Sequence, residues 1–353
     1  MPLILQARHF DLSLGSENKM KVSIFGTGTW GTGLAQVLSD NGHHVLMYGI
    51  EKSQVDDINL NHRNSFFFGE QVVLHENISA TLSLDEAISY SDIFLLSVPS
   101  FAMRSLLHQI SEKLDKKVLV INTAKGFDIE KEERLSDLIR EEIPPHFLKG
   151  VVSLIGPSHA EEVVIRLLTV VTATSLDENA SNLVQELFSN EYFRVYTQND
   201  EIGAELGVAY KNAIAIASGI LAGLGYGDNA RAALITRGLA EMVRFGTYYG
   251  AKLETYLGLT GLGDLIVTCN SLHSRNFQAG FEIGKKNDAK EFLANNKKTV
   301  EGIRTTKIIH LLSLQNGLEL PIVSGIYSVL YEGALPSIVV KNLMLRPLRS
   351  EKM

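Results

Sequence analysis

The sequence predicts an α/β fold, a doubly wound, mostly parallel Rossmann-like sheet, followed by a second, all-helical domain. Three observations carry this. From Lys21 to about residue 160, short β-branched runs alternate with longer amphipathic stretches, the order that builds a parallel sheet with crossover helices. The runs IFLLSV and KVLVIN are apolar almost without a break, as a strand covered on both faces must be. After about residue 198 the texture changes to long helical periodicity rich in Ala, Leu and Ile.

Taken in order, residues 1–19 show neither period and are expected to form an unstructured extension, with Met20 as a second start. Their apolar opening is too short and wrongly flanked for a signal peptide. KVSIFG then reads as a strand, LAQVLSDNG as a helix and HVLMYG as a strand, closing a βαβ unit. LDEAISYSD, MRSLLHQISEKL and RLSDLIREEI read as helices that alternate with the strands IFLLSVP, KVLVINTAKG and VVSLIGPS. TVVTATS and YFRVYTQ extend the sheet. The expected division is therefore an extension over 1–19, a sheet domain over 20–197 and a helical domain over 198–353.

Composition sets outer limits. A chain of 353 residues with 45% hydrophobic content suffices for about two domains, each with its own core. A net charge of −7 without a Lys/Arg stripe argues against binding nucleic acid through its phosphates. Cys269 is the one cysteine, which excludes an intramolecular disulfide and fits a reducing cytoplasm. The ten histidines show no H-x-x-x-H or Cys/His ligand spacing, so no metal is expected. The longest apolar candidate for a span, AIAIASGILAGL, is short and interrupted by Ser218, and reads as a buried helix rather than an integral membrane segment.

The first strand runs into GTGTWG, where Gly26, Gly28 and Gly31 fill a G-x-G-x-x-G pattern. In that pattern the first glycine permits a tight turn, the second lets backbone approach a pyrophosphate, and the third lets helix pack on strand. The alternative is a bare structural turn, but the strand before and the helix and strand after favour a dinucleotide. Glu51 lies twenty positions beyond Gly31, near the place of a carboxylate that bonds a ribose hydroxyl, although a solvated surface group reads equally well there. Ile50 offers no cation to a 2′-phosphate, and Lys52 is close by.

Ligands of open α/β sheets collect outside the carboxyl ends of the strands. Those ends are SVPS, NTAKGFD and IGPSHA, whose lone cation is Lys125 and whose Ser158 offers a hydroxyl to a substrate oxygen. In the helical half, GVAYKNAIAIASGILAGLG places Lys211 and Asn212 among Ala, Ile, Leu and Gly. Burial favours a neutral lysine that can act as a general base, which makes Lys211 the catalytic candidate. The plain alternative is a structural lysine paired with a carboxylate such as Glu205. Asp264 sits in the Gly-rich GLTGLGD before an apolar run, and Ser274, Arg275 and Asn276 follow one another as hydroxyl, guanidinium and amide, a phosphate grip.

From about residue 21 to 335 the chain resembles the NAD(P)-dependent glycerol-3-phosphate dehydrogenases of the bacterial soluble type. The resemblance rests on GTGTWGTGLA, TAKGF, GPSHA, AYKNAIAIASG, NARAALITRGLAEM, GLGDLIVTC, SRN and VEG in the right order. It implies interconversion of sn-glycerol 3-phosphate and dihydroxyacetone phosphate with NAD or NADP, supplying glycerol 3-phosphate for phospholipid synthesis in the cytoplasm. It further implies that Thr29, Trp30, Lys125, Ala160, Arg275 and Glu301 touch the cofactor. Lys125, Gly156, Ser158, Lys211, Asp264, Ser274, Arg275 and Asn276 would line the small phosphorylated substrate, with Lys211 as proton acceptor. Oligomeric state stays open, a homodimer included.

Three departures stand out: His159 where the family usually has Phe, no Gly or Pro near Arg166 and Leu168, and Ile50 in place of a polar or basic residue. Two competing readings are a 3-hydroxyacid or 6-phosphogluconate-type dehydrogenase, and a dinucleotide-sensing protein without turnover.

Overall fold

The computed structural model describes residues 19–296 and 299–351. The expected unstructured extension over 1–19 therefore lies, apart from Lys19, outside the described residues.

Residues up to Gln198 form β1 (Lys21–Phe25), α1 (Thr29–Asp40), β2 (His44–Tyr48), α2 (Lys52–Asn61), α3 (Ser65–Phe68), β3 (Ile78–Thr81), α4 (Leu84–Tyr90) and β4 (Ile93–Leu96). They continue with α5 (Ser100–Ser111), β5 (Val118–Asn122), α6 (Leu135–Glu142), β6 (Leu148–Ile155), α7 (Ala160–Val163), β7 (Thr169–Thr174), α8 (Glu178–Phe188) and β8 (Phe193–Gln198). The eight strands make one sheet in the order β3-β2-β1-β4-β5-β6-β7-β8. All neighbours are parallel except β6 and β7.

Alternation along β1 shows how the layers form. Val22 and Ile24 join an apolar cluster on one face with Leu34, Val37 and Val184, while Phe25 joins the other with Phe94, Met103 and Leu138. A period of two sends successive side chains to opposite faces, and helices cover both. β3, α2 and α3 were not among the expected elements; ISAT is a four-residue edge strand, too short to show a period.

The order reverses between β1 and β4, which places a crevice beyond their carboxyl ends. There the two strand ends converge: a Cβ on Gly26 would lie 2.4 Å from the Ser97 carbonyl oxygen, and Gly26 has φ +119°. Only glycine is at ease in that conformation and that space.

Beyond the sheet come α9 (Glu201–Gly223), α10 (Asp228–Tyr248), α11 (Leu253–Tyr256), α12 (Asp264–Asn270), α13 (Arg275–Lys286), α14 (Lys290–Asn295), α15 (Glu301–Gln315), α16 (Pro321–Tyr331) and α17 (Pro336–Met344). α9 is apolar enough by length and composition to cross a bilayer, yet 89% of its most apolar window is buried inside the protein. A helix apolar all round is a core helix when neighbours surround it. Asp200 caps it, accepting from the Gly203 N–H at 3.0 Å.

α9 and α13 meet through glycines spaced four apart on each. A Cβ on Gly219 would stand 2.1 Å from the Phe277 carbonyl oxygen, one on Gly223 2.3 Å from that of Phe281, and one on Gly280 2.0 Å from that of Ile216. The two backbones touch with no side chain between them.

One expected departure has a conformational signature. Arg166, in the loop from α7 to β7, has φ +64°, where glycine would be at ease. Its guanidinium reaches back to Asp40 at the end of α1 through bonds of 2.7 and 2.9 Å, and Tyr192 Oη donates to the same carboxylate at 2.7 Å. Burial would raise the Asp40 carboxyl, but the bonds from Arg166, Tyr192 and Gln36 hold it below its ordinary range. A forked ion pair offsets a backbone conformation that costs on the order of 1 kcal/mol.

Candidate active site

The glycine loop leaves open space at its second glycine. A Cβ on Gly28 would meet nothing within 4 Å, in contrast to Gly26 and to Gly31, whose Cβ would lie 2.6 Å from the Gly26 carbonyl oxygen. Gly28 is the N-cap of α1 and supplies no side-chain cap, so first-turn N–H groups at Thr29 and Trp30 remain as donors. The indole Nε1 of Trp30 is buried without a hydrogen-bond partner among the described residues. An open approach, free amides and the positive end of a helix dipole suit a pyrophosphate. Ala160, at the start of α7, lies against α1: a Cβ on Gly33 would be 3.5 Å from its carbonyl oxygen.

Glu51 is exposed at the N-cap of α2, next to Ile50, which is also exposed. Lys52 is held by Asp56 one turn on, at 2.5 Å.

Where the strand ends meet the helical half, a carboxylate lies between two lysines. Asp264 is fully buried; its Oδ1 accepts from Lys211 Nζ at 2.6 Å and its Oδ2 from Lys125 Nζ at 3.2 Å. Lys125 also donates to the Gly156 carbonyl at 2.9 Å, and Ser158 Oγ donates to that same oxygen at 3.1 Å. The strand ends of the sheet and the buried helix α9 thus meet at one acid. Burial, reinforced by the nearby Lys125, pushes Lys211 down to about 8 against the opposing pull of Asp264.

Sequence reasoning missed Thr268. Its Oγ1 accepts from Lys211 Nζ at 2.6 Å, and its place one helical turn after Asp264 is the signal that would have found it. Glu205, weighed as a partner for Lys211, faces elsewhere: it accepts from Ser153 Oγ at 2.5 Å and Ser136 Oγ at 3.0 Å. Burial, with the Glu201 carboxylate nearby, raises Glu205 to about 7. Glu201 itself forms a forked pair with Arg140 at 2.6 and 2.7 Å, so the first turns of α9 are fastened to α6 and, through Ser153, to β6.

Ser274, Arg275 and Asn276 open α13. Ser274 Oγ accepts from the Phe277 N–H as an N-cap, which leaves its own hydrogen to donate. Arg275 is exposed and makes no ion pair among the described residues. Asn276 is the most committed of the three, donating to Asn212 Oδ1 at 3.0 Å and accepting from the Gly302 N–H at 2.9 Å. Glu301, beside Gly302, crosses to the first turn of α5, accepting from Ser100 Oγ at 2.8 Å. His159 caps α7 with its ring 5.7 Å from that of His273; burial, and then Lys211, lowers its pKa.

Profiles of the NAD-dependent glycerol-3-phosphate dehydrogenase family match this chain twice, the N-terminus at residues 21–181 and the C-terminus at 200–341. A glycerol-3-phosphate dehydrogenase (NAD(P)+) of Staphylococcus epidermidis is 48% identical over 331 residues, 94% of this chain and 99% of that one. A protein of the same name from Streptococcus pyogenes is 47% identical over 333 residues, 94% of this chain and 98% of that one. The crystal structure of glycerol-3-phosphate dehydrogenase from Coxiella burnetii, 34% identical, superposes with a TM-score of 0.87 over 93% of this chain and 99% of that one.

Proposed function

We infer how the site works from one premise: the chain belongs to the NAD-dependent glycerol-3-phosphate dehydrogenase family. It is an NAD(P)-dependent oxidoreductase that interconverts sn-glycerol 3-phosphate and dihydroxyacetone phosphate. The observation that carries the mechanism is the Lys125–Asp264–Lys211 bridge.

The nicotinamide cofactor, when bound, supplies or accepts the hydride. Gly26, Gly28 and Gly31 would form its cradle, with Thr29, Trp30 and Ala160 beside it and Glu51 to accept from a ribose hydroxyl. Lys125, Arg275 and Glu301 would complete its contacts from the facing side.

Lys211 handles the proton. Near a pKa of about 8 it is available in both forms at neutral pH, neutral to take the substrate hydroxyl proton and charged to return it to the carbonyl. An ammonium has three hydrogens; Asp264 and Thr268 engage two, leaving one for the substrate oxygen. Asp264 also keeps the Lys211 side chain from rotating away. Lys125, Gly156 and Ser158 line the reacting end of the substrate, and Ser274, Arg275 and Asn276 hold its phosphate, Arg275 by a fork and Ser274 by its free hydrogen.

We place the division between the sheet domain and the helical domain at 197/198, within one residue of the end of β8 at Gln198 and before the start of α9 at Glu201. The buried, free thiol of Cys269 fits a reducing cytoplasm.

The test follows absorbance as NADH or NADPH is oxidised with dihydroxyacetone phosphate, beside a panel of carboxylated 2-oxo and 3-oxo acids. The expected result is turnover with the triose phosphate, with NADH serving at least as well as NADPH, because Ile50 is apolar, Glu51 repels a 2′-phosphate and Lys52 is paired. A clear NADPH preference overturns the cofactor reading. Turnover only with the acids, or dinucleotide binding without turnover, overturns the substrate reading.

A further inference from the structure

The loop that carries Lys125 is built across both halves of the molecule. Two residues after the lysine, Phe127 is 4% exposed and belongs to the apolar core of the helical half, together with Leu206, Tyr210, Met242, Leu265 and Ile309. All other buried members of that core lie between Leu206 and Leu330; Phe127 is the one contributed from the sheet side among the described residues. The next residue is fastened the other way. Asp128 accepts from Arg104 of α5 at 2.9 and 3.3 Å, and its backbone N–H donates to the Glu133 carbonyl at 2.9 Å. Gly126, with φ +147°, is the joint that lets Lys125 and Phe127 diverge over so short a stretch.

We propose that Phe127 is a positioning residue for the reaction: its ring, seated in the helical core, sets how far the Lys125 ammonium reaches toward Asp264 and Lys211. This rests on the reading of Lys125 as a substrate-side group. The physical argument is one of anchorage. Lys125 has four flexible methylenes, and a loop held only by Arg104 would let its ammonium drift with the sheet half. A buried aromatic two residues away ties the loop to the half that carries Asp264, so the two lysines share one carboxylate because their backbones share one frame. Displacement of a reacting group by about 1 Å costs rate steeply.

The experiment is a double-mutant cycle on Phe127→Ala and Lys125→Ala, reading kcat and KM for dihydroxyacetone phosphate beside an independently measured NADH dissociation constant. Phe127→Ala is expected to lower kcat/KM roughly 10- to 100-fold while NADH affinity falls less than about threefold, since the glycine loop is untouched and Lys125 makes only one of the cofactor's contacts. Phe127→Leu, which refills most of the same space, should recover most of the loss. Introduced into Lys125→Ala, the Phe127 change should cost less than about twofold, because residues acting through one group are not additive. If Phe127→Ala does not fold, Phe127→Val, which leaves more of the ring's space empty than Leu does, carries the same cycle with a smaller first loss and the same non-additivity. Independent, multiplying losses overturn the proposal, as does a soluble Phe127→Ala within about twofold of wild type. Near-normal activity of Lys125→Ala alone would instead overturn the underlying reading of the lysine, a result visible in a different arm.

Discussion

The two halves of this enzyme use glycine for opposite purposes. At Gly28 the missing side chain leaves space that nothing in the protein fills, with a Cβ there meeting no atom within 4 Å. At Gly219, Gly223, Gly280 and Gly284 the missing side chains are replaced by the backbone of a neighbouring helix. In the proposed mechanism the first half therefore presents main chain to the pyrophosphate, and the second presents side chains, Lys211, Asp264 and Thr268, held at fixed distances by helices pressed together. On that mechanism, the difference makes affinity for the dinucleotide and command of the proton separable properties of this chain.

The sharpest test of that separation is Lys211→Ala. It should lower kcat by on the order of 10² to 10⁴ while leaving the NADH dissociation constant near wild type. Lys211→Arg should not rescue it, because a guanidinium cannot accept the proton. A variant that lost both properties together would break the comparison.

Next in size is the contrast between two alanines. Gly219→Ala forces a methyl to within 2.1 Å of the Phe277 carbonyl oxygen and should cost about 3 kcal/mol of stability, read from the urea midpoint. Gly28→Ala has room for its methyl and an ordinary φ of −72°, so it should leave that midpoint nearly unchanged and weaken dinucleotide binding instead. Equal behaviour of the two variants would mean that the opening at Gly28 is not where the ligand approaches.

Arg275→Lys keeps the charge and loses the planar fork, so kcat/KM for the triose phosphate should fall by roughly 1 to 3 kcal/mol. An unchanged value would place Arg275 away from the phosphate.

The smallest effect is the gentlest to measure. With Lys211 near 8, the rate of glycerol 3-phosphate oxidation should rise as pH passes through about 8, because the base must be neutral to accept. Reduction should fall over the same interval, because the same group must then be charged to donate. A matched pair of opposite limbs in the two pH–rate profiles is the expected signature, and parallel limbs would assign the titration to another group.

Legibility in the sequence followed the same divide. The parallel strands and the glycine loop are local patterns, so KVSIF and GTGTWG could be read as they stood. The antiparallel turn of β7 against β6 has no local signature, and neither does the left-handed backbone at Arg166, which depends on Asp40, 126 positions away. In the helical half, an isolated lysine in an apolar run was visible. Asp264 was legible as a group that could orient it or bond a substrate hydroxyl, while Glu205, six residues back, lay off its face. That Asp264, 53 positions on, bonds the lysine directly is decided by the fold. Phe127 and Ser100 escaped notice for the same reason. Each looks ordinary in its own stretch and matters through a contact made elsewhere.

The anchoring of α9 at both ends also says where this gene can change length. Glu201 and Glu205 fix the start of the helix to α6 and β6, Lys211 lies in its middle, and Gly219 and Gly223 lock its end against α13. Insertion or deletion of a single codon between 205 and 211 would turn one segment by about 100° and shift it by about 1.5 Å relative to the other. Whichever half kept its contacts, the other would lose them, and no neighbouring loop takes up the error. Reading-frame-preserving length variation in descendants of this sequence is accordingly barred from α9 and channelled to exposed connections such as residues 225–227 between α9 and α10.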